Sequence, residues 1–296
     1  MSSHLALLVN PAARGGRTLR LLEPVVRRLR DGGAEVSVIV GDDAADALER
    51  ACTAAAERPD ALVAFGGDGL VHLAVQAVAG TGVPLGIIPA GTGNDIAAAY
   101  GLPVKDQLAA ADTVLRLRAR AVDAAWIERA GADGEWFAGV VCCGFDSRVN
   151  ERANRLTWPP GMAKYLVALA AELRAFRPIP FRVTLDGEET LEREAMLVSV
   201  ANTGTYGAGM RISPDARPDD GLLDVVVLGA VPKAEFVRVF PRVYKGTHVR
   251  HPAVSVHRVR EVRVEAPDVV AYADGERVGA APVTCRVEPG ALTVLS

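Results

Sequence analysis

The segment Phe65-Gly66-Gly67-Asp68-Gly69 stands between an unbroken apolar run at 61–65 and a helical pattern at 71–79. A strand that is apolar at every position must be covered on both faces, which selects a parallel sheet flanked by helices. The same order recurs around it. Strand-like runs at 5–9, 35–40 and 85–88 alternate with helical patterns at 18–29 and 44–56, the first with Thr18 as its predicted N-cap and Gly32-Gly33 as its stop. Such alternation predicts right-handed βαβ units with ligands at the carboxyl edge of the sheet, where the glycine loops lie.

Beyond residue 120 the pattern changes. Strand-like runs at 122–128, 136–141, 181–185, 195–201, 223–228, 262–265, 269–273 and 283–287 are joined by short polar turns, among them Asp133-Gly134 and Asp186-Gly187. These predict an antiparallel sandwich or barrel-like domain. With 296 residues the chain exceeds one average domain of ~100–200 residues, and the expected division is an α/β domain at 1–122 and a β-rich domain at 123–288. The last strand-like piece, within 289–296, is expected to return to the first domain.

Composition narrows the class. The charge sum is 33 − 36 = −3, which argues against sequence-independent nucleic-acid binding. The stretch 69–94 has no formal charge, but Gly80, Gly82, Pro84, Gly86, Pro89, Gly91 and Gly93 break it into pieces too short to span a bilayer as one helix. Four cysteines without CxxC spacing read as reduced, mostly buried thiols. With no leader apparent at Met1-Ser2-Ser3-His4, a cytoplasmic protein is expected.

Glycines at 66, 67 and 69 let the backbone approach an anion closely, and a following helix N-terminus adds partial positive charge. Asp68 would repel phosphate unless Mg²⁺ or a set of donors lay between them, which points to a metal-nucleotide site. The alternative is a tight βα turn with a capping Asp. Pro89-Ala90-Gly91-Thr92-Gly93-Asn94-Asp95 repeats the arrangement at the next strand end, with Thr92 and Asn94 as donors or Asn94 or Asp95 as a cap. Neither GxxxxGK[ST] nor GxGxxG occurs, so P-loop and ordinary dinucleotide readings lose ground.

Asn10-Pro11, Gly66-Gly67-Asp68-Gly69, the 89–95 loop, Pro218-Asp219-Asp220-Gly221-Leu222-Leu223-Asp224 and Asp274-Gly275-Glu276 together resemble the diacylglycerol kinase catalytic-domain family, in its soluble bacterial branch. The likeness covers nearly the whole chain. It implies an NAD-kinase-like or lipid-kinase-like α/β domain followed by a β-sandwich, with ATP and Mg²⁺ as cofactors. It also implies transfer of the ATP γ-phosphoryl group to a lipid alcohol of diacylglycerol type, in phospholipid metabolism. The ATP-binding residues would be Asn10, Gly66, Gly67, Asp68, Gly69, Gly91, Thr92 and Asn94. Asp274 would be the general base and Glu276 its partner. Mg²⁺ would be held by the Asp220 side chain and the carbonyls of Arg217 and Leu222.

Leu70 and Leu73 depart from the pattern, standing where the family commonly has Thr and Glu. A non-catalytic nucleotide- or lipid-binding relative is therefore a rival reading, as is an NAD kinase, which shares GGDG. His72 is expected to be a solvent-facing or cap-region residue. Between 147 and 182, Arg148, Arg152, Arg155, Lys164, Arg174, Arg177 and Arg182 interleave with Leu156, Trp158, Tyr165, Leu166 and Phe176. Such a segment suits peripheral contact with anionic headgroups, or packing of an ordinary surface helix. The stretch 233–263, with His248, His251 and His257, reads as solvated or headgroup-facing surface. A homodimer is compatible with the sequence.

Overall fold

The computed structural model describes residues 2–10, 17–159 and 162–296. The first half runs β1 (Ser3–Val9), α1 (Arg17–Asp31), β2 (Ala34–Val40), α2 (Ala44–Ala56), β3 (Ala61–Gly66), α3 (Asp68–Val78), β4 (Leu85–Pro89), α4 (Asp95–Ala99) and α5 (Gln107–Leu115). Its strands pair in parallel in the order β2-β1-β3-β4. Successive residues point to opposite faces. Leu8, Leu62 and Ile87 enter the core under α2 and α3, whereas Leu7, Val63 and Phe65 enter the core under α1 and α5. Each fully buried Leu or Phe contributes roughly 1.5–3 kcal/mol, and this two-sided burial holds the strand ends, and so the glycine loops, in place. Thr18 lies inside α1 rather than capping it, because the helix already includes Arg17.

The second half contains β5 (Ala119–Arg129), β6 (Glu135–Phe137), β7 (Val140–Gly144), α6 (Phe145–Arg155), α7 (Met162–Ala175), β8 (Ile179–Leu185), β9 (Glu189–Ala201), β10 (Leu223–Gly229), α8 (Lys233–Val239), β11 (Val254–Val259), β12 (Glu261–Glu265), β13 (Val270–Ala273), β14 (Glu276–Ala280) and β15 (Val283–Leu295). Short 3₁₀ turns at Phe240–Lys245 and Thr247–Arg250 follow α8. The strands pair antiparallel around a core that includes Ile127, Phe137, Phe145, Val198 and Val262. This is the mixed fold predicted from the sequence, a parallel α/β layer followed by an antiparallel sandwich.

Two details differ from the predicted strands. The run at 136–141 is split, because Ala138 and Gly139 leave the sheet between β6 and β7 and turn their amides to another partner, described below. The runs at 283–287 and 291–295 are one strand. β15 pairs with β5 from Val283 opposite Arg129 to Leu295 opposite Ala119, with a bulge between Glu288 and Leu292 that contains Gly290 at φ +67°. Past the bulge, Val294 pairs in parallel with Leu85 of β4. One strand thus belongs to both sheets.

Cys142, Cys143 and Cys285 are buried, Cys52 is exposed, and all four are free thiols. Among the described residues no helix is long and apolar enough to cross a membrane.

Candidate functional site

The two glycine loops meet backbone to backbone. Gly66 is in register with Pro89, and the Ala90 N–H donates to the Gly66 carbonyl at 2.7 Å. A Cβ on Gly91 would stand 2.4 Å from the Gly67 Cα, so no side chain fits between the loops. α3 begins at Asp68 with no side-chain cap, which leaves its first amides open toward the loop. Thr92 is exposed, as a phosphate donor must be. Asn94 differs from its expected role. It is buried at φ +58°, its Oδ1 accepts the Gly91 N–H at 2.8 Å, and its Nδ2 donates to the Gly91 carbonyl at 3.0 Å. Its amide shapes the loop from within instead of facing a ligand. Asn10 is exposed at the end of β1, while Pro11 and the rest of the 11–16 loop lie outside the described residues.

The Asp274-Gly275-Glu276 segment arrives from the far end of the sequence at the same place. Asp274 at φ +53° and Gly275 at φ +91° form the two-residue turn of the β13–β14 hairpin, where two successive positive φ values are the geometry such turns favour. The ordinary-turn reading and the site reading thus describe the same residues. A Cβ on Gly69 would stand 2.7 Å from Glu276 Oε1, which sets the Glu276 carboxylate against the first glycine loop. The Asp274 carboxylate has no exposed surface. Its Oδ1 accepts from Gly139 and Val140 N–H at 2.8 and 3.1 Å, and its Oδ2 accepts from Ala138 N–H at 3.0 Å. Ala138 and Gly139 are the residues that interrupt the sheet between β6 and β7, and Val140 is the first of β7.

His72 supplies the remaining contact, with Nδ1 3.1 Å from Asp274 Oδ2. It is only 6% exposed, so the solvent-facing expectation fails: α3 turns this face into the junction between the two halves. Gln76, one turn on, donates to the Trp136 carbonyl at 2.6 Å and accepts the Trp136 N–H at 2.8 Å, as a neighbouring strand would. Sequence reading missed this role of both residues. The available signal was polar side chains at 68, 72 and 76 on an otherwise apolar helix, a spacing of four that puts them on one face. Asp95 was also missed as a site residue; its carboxylate accepts the Ala208 and Gly209 N–H groups at 2.7 Å each and ties the second loop to the β-rich half. Leu70 is buried and lies under Gly66, so it packs into the core rather than facing a ligand.

These acids crowd one spot. Burial pushes the Asp68 carboxyl pKa up, its bond from the Ile96 N–H opposes this, and the Asp95 and Asp274 charges push it further up. Burial also raises Glu135, with the Asp274 and Glu276 charges adding to it and His72 opposing. For His72, burial disfavours the imidazolium, but its bond to Asp274 and the charges of Asp274, Glu135 and Glu276 outweigh this, and its pKa is raised. A triphosphate approaches such a rim favourably only with a divalent cation, and the hard oxygens of Asp68 suit Mg²⁺ carried by a nucleotide.

The 217–224 turn fits a resident Mg²⁺ poorly. Asp220 Oδ1 accepts the Leu222 N–H at 3.2 Å, and Oδ2 is paired with the Arg258 guanidinium. Arg217 turns its Nε to Asp219 at 3.3 Å. Mg²⁺ demands near-octahedral oxygen ligands, and here the one carboxylate expected to bind it already faces a cation. Among the described residues no group of three or more His, Cys, Asp or Glu side chains forms a metal cage.

The basic segment at 147–182 packs one side on the β-rich half and leaves apolar residues exposed on the other. Tyr165, Leu169 and Phe176 pack against the sandwich core, while Trp158, Leu166 and Val167 are exposed at 78%, 62% and 47%. Tyr165 lies close enough to Glu276 for that charge to raise its pKa, after burial. Of the later histidines, His248 is buried, with Nε2 3.1 Å from the Ile212 carbonyl, and is not surface as expected.

Residues 4–127 match the family described as the diacylglycerol kinase catalytic domain, and residues 139–296 match the YegS C-terminal NAD kinase beta sandwich-like domain. The chain is 42% identical over 288 residues to a diacylglycerol kinase of Mycobacterium tuberculosis, covering 97% of this chain and 93% of that protein. A diacylglycerol kinase of Bacillus subtilis is 29% identical, covering 93% and 90%. Among solved structures, a diacylglycerol kinase from Bacillus anthracis superposes with a TM-score of 0.73 at 21% identity, covering 99% of this chain and 96% of that one. An NAD kinase from Archaeoglobus fulgidus in complex with ATP gives 0.55 at 13% identity, covering 100% and 94%; both likenesses concern the fold.

Proposed function

Because the chain belongs to the diacylglycerol kinase family, we propose that it transfers the γ-phosphoryl group of ATP, presented with Mg²⁺, to the hydroxyl of a membrane lipid of diacylglycerol type. The observation that carries this reading is the contact of Glu276 with Gly69, which brings an acid from the β-rich half onto the loop suited to phosphates. Gly66, Gly67, Gly69 and Thr92 cradle the phosphates with main-chain and hydroxyl donors, Gly91 lets the second loop lie against Gly67, and Asn10 borders the same sheet edge. Asp68 would hold Mg²⁺ on the protein side, and the ion would supply positive charge to the phosphate oxygens.

In the transfer, the lipid oxygen bonds to the γ-phosphorus, the bond from that phosphorus to the β–γ bridging oxygen breaks, and ADP leaves with the electron pair. The hydroxyl proton goes to Asp274. Three of the four donors on its carboxylate are main-chain amides, and the fourth is the side chain of His72. To take the proton, Oδ2 would have to give up its bond to His72, and the exposed Glu276, beside Gly69, would orient the acceptor. Trp158, Leu166 and Val167, beside the basic residues of α6 and α7, form the face that meets the bilayer, near the Glu276 end of the site.

The test is labelled ATP with diacylglycerol in mixed micelles and, separately, with NAD. Labelled lipid phosphate without labelled NADP supports the reading; labelled NADP, or ATP binding with no lipid product, overturns it.

A further inference from the structure

The 217–224 turn is restrained from four directions. The Asp123 N–H donates to the Pro218 carbonyl at 2.7 Å, and Asp123 Oδ2 accepts the Gly221 N–H at 2.7 Å. Asp220 Oδ1 closes the turn on Leu222, as described. The fourth restraint is Arg258. It sits opposite Asp224 in the β10–β11 register, so the sheet itself delivers its side chain to the turn. Its guanidinium pairs with Asp220 Oδ2, and its Nε lies 3.4 Å from Asp224 Oδ1. Asp224 is buried, and its other oxygen accepts the Ser213 hydroxyl at 2.5 Å.

A planar guanidinium matches two carboxylates through several donors at once. A divalent ion placed on Asp220 would have to sit against this cation, which repels it, or displace it, which loses the pairing of Asp224 as well. We infer that Arg258 is the resident cation of this turn, so that the turn folds without a divalent metal. The inference does not depend on the kinase reading, since it concerns the fold of β10 and the turn that precedes it.

The test is thermal melting of the full chain without nucleotide, in EDTA and in millimolar Mg²⁺. Wild-type protein is expected to melt at the same temperature in both. Arg258→Gln is expected to melt about 4 °C lower in EDTA and to recover in Mg²⁺, because Asp220 and Asp224 are then unpaired. Arg258→Lys, which keeps the charge without the fork, is expected to show a smaller loss and no Mg²⁺ response. Wild-type melting that rises with Mg²⁺, with that rise lost in Asp220→Asn, overturns the inference. So does an Arg258→Gln protein that melts like wild type in EDTA.

Discussion

His72 Nδ1 and Asp274 Oδ2 lie 3.1 Å apart, joining a helix that starts at the first glycine loop to a hairpin turn more than two hundred positions later. The raised His72 pKa gives this pair a pH signature. Its stabilisation is fully present below the unfolded histidine value, about 6.5, and is lost as pH rises through the higher folded value. His72→Asn should therefore melt below wild type by the equivalent of about 1–3 kcal/mol at acid pH, with the gap narrowing toward alkaline pH. A gap that stays constant across the range would mean that His72 is neutral throughout.

Asp274→Asn should lose roughly 10²–10⁴-fold in turnover while still folding. It should also be less stable, because an amide NH₂ in place of an oxygen faces donors that have no acceptor left. Glu276→Gln should lose rate with melting changed by no more than about 0.5 kcal/mol, since Glu276 is exposed. Micelle kinetics and melting on both proteins check this, and near-normal turnover by Asp274→Asn would remove it as the base.

Gly69→Ala and Gly91→Ala should behave differently. The first adds a methyl 2.7 Å from the end of the flexible Glu276 side chain, which can move aside, so rate should fall while stability holds. The second adds a methyl 2.4 Å from the Gly67 main chain, which cannot yield without separating the loops. About 1–3 kcal/mol of destabilisation and weaker ATP binding should follow. Calorimetric titration with ATP and urea unfolding separate the two effects.

Asp146 offers an independent pH test. Burial raises its carboxyl pKa to about 6, against opposing bonds from Ser147, Tyr206 and Ser199. Between its unfolded value, about 3.9, and this folded one the native state binds the extra proton, so stability falls as pH rises across that window. Asp146→Asn removes the titration and should gain on wild type between pH 4 and pH 7 in urea unfolding, whatever its stability at pH 4. A difference unchanged with pH would contradict the assignment.

The parallel sheet and its glycine loops were legible because apolar runs at 5–9 and 61–65 and the glycines at 66, 67, 69 and 91 each carry a local signal. The junction was not. His72 and Gln76 look like interruptions of an apolar helix until β6 and the β13–β14 hairpin are placed beside them, and no local pattern shows that Ala138 and Gly139 leave their strand for the Asp274 carboxylate. Arg258 is a further case. Its partners Asp220 and Asp224 were visible as an acidic turn, but the cation is set by a cross-strand register that no spacing reveals. Asn94 shows the converse, a motif residue whose contact lies inside its own loop.

The strand shared by the two sheets sets an order of events during synthesis. Val294 completes the β4 edge of the parallel layer, so the portion that emerges first from the ribosome waits with an unfinished flank until residues 283–295 have followed. The parallel layer cannot close its β4 edge ahead of the antiparallel strands that carry β15, and a premature stop before residue 283 would leave both sheets without that strand.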